Sequence, residues 1–165
     1  IITKEAKALF TKTNVLSEVE INARFDIRLE RFTKKIQIES RVLGDLAINH
    51  IIPTCINYQT KLIENVKGIK QVCTVDEFNS VSALQMETIK EISHRISQAK
   101  MLVDQMKEER KKANNMEKIL DKANYYSKVV IPYLGKIRSH IDRLELIVDD
   151  RMWPMPKYRE LLFNR

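Results

Sequence analysis

A chain of 165 residues is long enough for one domain with its own core, and 44% hydrophobic against 31% charged residues is a globular composition, not a disordered one. The net charge of +7 comes from 29 Lys and Arg against 22 Asp and Glu, interleaved as in KEERKK (107–112) and RLERFTKK (28–35), which reads as solvated helix faces more than a nucleic-acid footprint. No run approaches the roughly 18 apolar residues of a membrane span, and no signal-peptide pattern opens the chain.

Only three Gly and four Pro occur, which favours a few long helices over many short elements. Cys55 and Cys73 lack metal-ligand spacing and read as two reduced thiols. The chain begins with Ile1, which predicts a piece of something longer.

Within 1–13, Ala6, Leu9 and Phe10 stand at helical spacing and predict a short leading helix. Asn14-Val15-Leu16 breaks that pattern. Ser17 then offers an N-cap, because its side-chain oxygen can accept unpaired amide protons, and Glu18 and Glu20 suit the positive helix end. From there Ile21, Phe25, Leu29, Phe32 and Ile36 step by three or four along one face of a helix predicted over about 17–72.

The apolar stripe runs on through Leu43, Leu46, Ala47 and Ile51, with Gly44 leaving room for a close neighbour. Pro53 lacks an amide proton and crowds the carbonyl of Asn49, so a bend is expected there. A continuous helix over these residues would be on the order of 80 Å long at about 1.5 Å per residue. An elongated domain, or a break at Pro53, follows.

A second long helix is predicted over about 76–114, where Ile89, Ile92, Ile96, Ala99, Val103 and Met106 form a coiled-coil-like seam. A third, over about 115–149, places Met116, Leu120, Ala123, Ser127, Val130, Leu134, Ile137, Ile141, Leu144 and Val148 on one seam. It carries Pro132 in VIPYLGKI, an echo of the segment around Pro53. The fold class is therefore all-α: an elongated antiparallel bundle of about three long helices in a single domain, two of them bent at Pro53 and Pro132.

The tail over 150–165 changes character. Pro154 and Pro156 force an extended course, and Met152, Trp153, Met155, Tyr158 and the run Leu161-Leu162-Phe163 surround them. Such an apolar tail either packs back on its own bundle or docks on another domain or subunit. Trp153, Pro154, Tyr158, Leu161, Leu162 and Phe163 are the candidate docking residues.

No catalytic constellation is present. Glu91 and His94 make one Glu-x-x-His, the helical pair of di-metal bundles, but the residues three before His50 and His140 are Ala47 and Ile137, so the second pair is missing and no metal is expected. His50 reads as a structural donor to the carbonyl that Pro53 frees. Tyr58 and Tyr125-Tyr126 fall on or near helix seams and read as core or interface. Three scattered glycines make no phosphate cradle.

Two stretches carry a resemblance. RVLGDLAINHIIPTCINYQTKLIENVKGIK (41–70), preceded by KIQIES, and RLELIVDDRMWPMPKYRELLF (143–163) resemble the C-terminal region of type III glutamine synthetases. Cys55 and Met152 depart mildly from the family pattern, where a small residue and Leu are expected. The resemblance implies a C-terminal helical accessory or assembly domain of a cytoplasmic enzyme that makes glutamine from glutamate and ammonia with ATP and Mg2+ or Mn2+. It also implies a dodecamer of stacked hexamers, with the catalytic, nucleotide and metal residues upstream of this segment. The partners would be the catalytic domain of the same chain and neighbouring subunits, with no membrane. The alternative reading is a free-standing basic helical module that contacts a partner helix or nucleic acid.

Overall fold

The computed structural model describes residues 3–163, apart from the side chains of Tyr158 and Arg159. Over that range the chain is an all-α, bundle-like fold with no strand. The helices are α1 (Lys4–Lys12), α2 (Glu18–Leu46), α3 (Ile52–Val72), α4 (Val75–Val81), α5 (Ala83–Asn114), α6 (Ile119–Tyr125), α7 (Ile131–Ile147) and α8 (Tyr158–Leu162). Their contacts fall into two compact units. The first holds the residues up to Arg41 with Met106–Pro132, and the second Val42–Gln105 with the residues from Tyr133 on.

In the first unit, Asn14 ends the leading segment at a φ of 53°, a left-handed conformation that Asn tolerates better than most residues. Ser17 then starts α2 as a reciprocal cap. Its amide and hydroxyl both donate to Glu20 Oε2 at 2.8 Å, and the Glu20 amide donates back to its hydroxyl at 3.3 Å. These bonds hold the Glu20 carboxyl below its ordinary range. The buried face contains Ile21, Ile36, Met106, Ala113, Ala123, Tyr126 and Val130. Asn114, where α5 ends, ties this face together: its Oδ1 accepts from Gln37 Nε2 at 2.6 Å and from the Tyr126 hydroxyl at 2.8 Å.

In the second unit, Ile51 and Cys55, and Ile137, Ile141, Leu144 and Val148, are buried at three-to-four spacing, and Ile92, Ala99 and Val103 are buried along one face of α5. Glu77 accepts from the Thr74 amide at 3.0 Å and its hydroxyl at 2.7 Å, which starts α4. Where the periodicity predicts one helix from about residue 76, Ser82 separates α4 from α5. It is buried, and its hydroxyl donates to the Phe78 carbonyl at 2.7 Å. Gln59 crosses from α3 to α5, donating to the Ile89 carbonyl at 3.0 Å and to Ser93 Oγ at 2.5 Å.

Pro53 and Pro132 sit in the same local setting. Each stands two residues after a wide π-turn, Ala47–Ile51 or Tyr126–Val130, and the chain stays helical through both. The Ile52 amide donates to the Ala47 carbonyl and the Ile131 amide to that of Tyr126, five residues back in each case. Proline can neither donate to nor pass close by the carbonyl four residues before it. A turn opened by one residue just ahead of the ring gives that carbonyl room. At Pro53 the Thr54 hydroxyl also takes the His50 carbonyl at 2.9 Å.

Candidate docking site

The structure divides the candidate docking tail in two. Trp153 is only 8% exposed, whereas Leu162 and Phe163 are 79% and 81% exposed and Leu161 is exposed beside them. Pro154 is exposed, and the Tyr158 side chain lies outside the described residues.

The turn that carries Trp153 inward is built by Asp149. Its carbonyl accepts from the amides of Met152 at 2.9 Å and Trp153 at 3.1 Å, and its carboxylate from the amide of Arg151 at 2.8 Å. Lys157 then pins the segment to the end of α7, because its ammonium donates to the Glu145 carbonyl at 2.8 Å and pairs with Asp150. Lys157 is not legible as an anchor in the sequence, where it is one cation among many. The pin leaves α8 as a short helix whose apolar end faces solvent.

Beside the pin lies a groove of about 380 Å³ lined by Leu43, Leu46, Ile51, Ile141, Met155 and Leu161, with Arg138, Asp142 and Glu145 on its rim. Burial first, then the neighbouring charges, holds the Glu145 carboxyl above its ordinary range. Leu161 thus belongs to the groove wall, and Leu162 and Phe163 extend beyond it.

The Glu-x-x-His pair has a structural role. Glu91 Oε1 accepts from Arg143 Nε at 2.9 Å and lies 3.4 Å from Arg95 Nη2, so its charge is taken by guanidinium groups of α7 and α5. The hydrogen bond from Arg143 leads the causes that hold the Glu91 carboxyl low. Burial, then the charges of Arg95 and His94, pushes the His140 imidazole below its ordinary value. Burial also raises the Cys55 thiol to about 11.

His50 is exposed and its side chain makes no hydrogen bond among the described residues. It is the His50 carbonyl, not its ring, that takes part in a side-chain hydrogen bond here, accepting from the Thr54 hydroxyl. Tyr126 is fully buried, and the half-buried Tyr125 donates its hydroxyl to Glu109. Both are anchors within their unit, not a base-stacking platform. Among the described residues no group of three or more His, Cys, Asp or Glu is placed to hold a metal ion, and no helix is long and apolar enough to cross a membrane. Many cations pair with acids one turn away, as Lys35–Glu39, Lys100–Asp104 and Arg138–Asp142 do, which is the pattern of a solvated mixed-charge face.

Residues 1–70 match the family described as the glutamine synthetase C-terminal domain. The chain is 48% identical to a glutamine synthetase of Bacteroides fragilis (strain YCH46), across 98% of this chain and 22% of that protein. It is 32% identical to the type-3 glutamine synthetase of Dictyostelium discoideum, across 95% of this chain and 21% of that protein. A glutamine synthetase of Butyrivibrio fibrisolvens is 25% identical across 99% of this chain and 23% of its own length. The chain spans about a fifth of the length of each of these curated relatives. None of these matches supports a free-standing module that binds nucleic acid. The family match over residues 1–70, and likeness to named glutamine synthetases along nearly every residue, make this chain similar to the C-terminal domain of glutamine synthetases.

Proposed function

We propose that this chain is the helical accessory and assembly domain at the C-terminal end of a type III glutamine synthetase. In this reading the parent is a cytoplasmic ligase that joins ammonia to glutamate at the expense of ATP, with Mg2+ or Mn2+. Its subunits stack as two hexameric rings. The observation that carries the reading is the 48% identity to a glutamine synthetase sustained over 98% of this chain yet only 22% of that protein. Such a match is what a segment of a larger enzyme gives.

The described residues do not fit the nucleotide or the metal. They offer no acidic or histidine cluster of the needed size, and Gly68 and Gly135 lie singly within helices. The segment's own contribution is to present surface to the catalytic domain of its chain and to neighbouring subunits. Leu162 and Phe163 are the docking residues in this reading, and the buried Trp153 holds them in place.

The test uses the full-length protein. Purified enzyme should form glutamine from glutamate, ammonia and ATP, and light scattering should report a large assembly. Removing the residues of this chain should lower the mass of that assembly. Absence of ligase activity would overturn the enzyme reading, and an unchanged mass after the deletion would overturn the assembly role.

A further inference from the structure

The groove beside the Lys157 pin and the exposed end of α8 lie side by side in the second unit. Ile51 and Ile141, both buried, line the groove with the half-buried Leu43, Leu46 and Met155 and with Leu161. Its volume of about 380 Å³ is room for about a dozen waters at roughly 30 Å³ each. That is the scale of one or two large apolar side chains and not of a whole helix. Leu162 and Phe163 are two such side chains, left almost fully in water next to it.

The chain does not fill the groove with its own pair. The Lys157 ammonium is held by the Glu145 carbonyl and by Asp150. Its amide donates to Glu160 Oε2 at 3.1 Å, and its carbonyl accepts from the Leu161 amide at 3.2 Å, so α8 starts where the pin sets it. That course puts Leu161 on the groove wall and carries Leu162 and Phe163 past it.

Charge and layout favour another copy of the chain as the source of the occupant. On the rim, Arg138 pairs with Asp142 at 3.5 Å, and the Glu145 carboxylate makes no hydrogen bond or ion pair with a described residue, so the rim is net negative by one charge. The segment 159–165, which carries the apolar pair, holds two Arg against one Glu and is net positive by one. Because pair and groove are neighbours on one surface, a two-fold axis can seat the pair of each copy in the groove of the other, a closed arrangement that covers both at once. We infer that Leu162 and Phe163 of one copy occupy the groove lined by Leu43, Leu46, Ile51 and Ile141 of a second copy. The inference rests on the docking role proposed for these two residues and names what receives them.

Disulfide trapping in full-length protein tests it. Two differently tagged copies are coexpressed, one with Phe163→Cys and the other with Leu43→Cys or Leu46→Cys, both on a Cys73→Ser background because Cys73 is only half-buried. Mild oxidation should give a linked pair carrying both tags, and neither cysteine opposite an unaltered partner should give it, since a disulfide needs the two Cα atoms within about 7 Å. A linked pair at neither groove position would overturn the inference, as would a Phe163→Cys/Leu43→Cys double variant that closes the bond within one chain. Light scattering separates this inference from the reading beneath it. Phe163→Glu and Leu46→Glu should each lower the mass of the assembly, with circular dichroism checking that the fold survives. A loss with Phe163→Glu alone would overturn the groove as the receiver and keep the docking role, whereas no loss with either would overturn both.

Discussion

Trp153 is the only tryptophan in the chain and the residue on which the placement of the tail turns. At 8% exposure it removes about nine-tenths of a surface of roughly 200 Å² from water, which at about 25 cal/mol per Å² is an upper bound near 4.5 kcal/mol. The indole Nε1–H is buried without a partner among the described residues, and such an orphan costs about 1–3 kcal/mol. The net loss for Trp153→Ala should therefore be about 1.5–3.5 kcal/mol. Trp153→Phe keeps most of the apolar surface and removes the orphan, so it should cost about 1 kcal/mol or less. Urea unfolding of the chain followed by circular dichroism measures both. In the unmutated chain, indole emission should be shifted to the blue and shielded from acrylamide. A Trp153→Ala loss below about 1 kcal/mol, or a Phe variant as damaged as the Ala one, would refute the reasoning from burial and the orphaned donor.

Four further outcomes follow from the same geometry. Leu162→Glu and Phe163→Glu should leave chain stability within about 0.5 kcal/mol of wild type, since both residues are exposed, while lowering the mass of the parent assembly in light scattering. Tyr126→Phe should cost about 1 kcal/mol, because Asn114 keeps Gln37 but loses one donor, and urea unfolding reads it. Cys55, buried and with its thiol raised to about 11, should react with a disulfide reagent at mild alkaline pH far more slowly than the half-buried Cys73. The His140 imidazole is held below its ordinary value of 6.5 by burial and by the charges of Arg95 and His94, so the unfolded chain takes up its proton first. Stability should be full above pH of about 6.5 and fall as pH drops through the lowered folded value, and His140→Gln should flatten that slope in an unfolding series.

Much of the fold is legible in the order of the residues. The three-to-four spacing of Ile21 through Ile36, of Ile92 through Met106 and of Ile137 through Val148 marks the helix faces that are in fact buried, because helical period and burial are two views of one geometry. Ser17 is legible as a cap for a similar reason: a short hydroxyl followed three residues later by Glu satisfies the free amides locally, without help from the rest of the chain. The resemblance to type III glutamine synthetases is likewise carried by contiguous runs of residues.

What lies beyond the sequence depends on neighbours distant along the chain. Nothing in the spacing shows that Asn114 gathers Gln37 and Tyr126, since those bonds span 77 and 12 residues. Glu91 reads equally well as half of a metal pair unless Arg143, 52 residues away, is seen to hold it. The prolines announce a local disturbance, but whether the helix ends, bends or opens into a wide turn is settled by the packing on either side. The tail is the clearest case. Composition marks Trp153 and Leu161 to Phe163 alike as apolar, and only the Asp149 turn and the Lys157 pin decide that the first is buried and the others face water. Local periodicity and capping are properties of the chain itself, whereas partner choice is a property of what folding brings within hydrogen-bond reach.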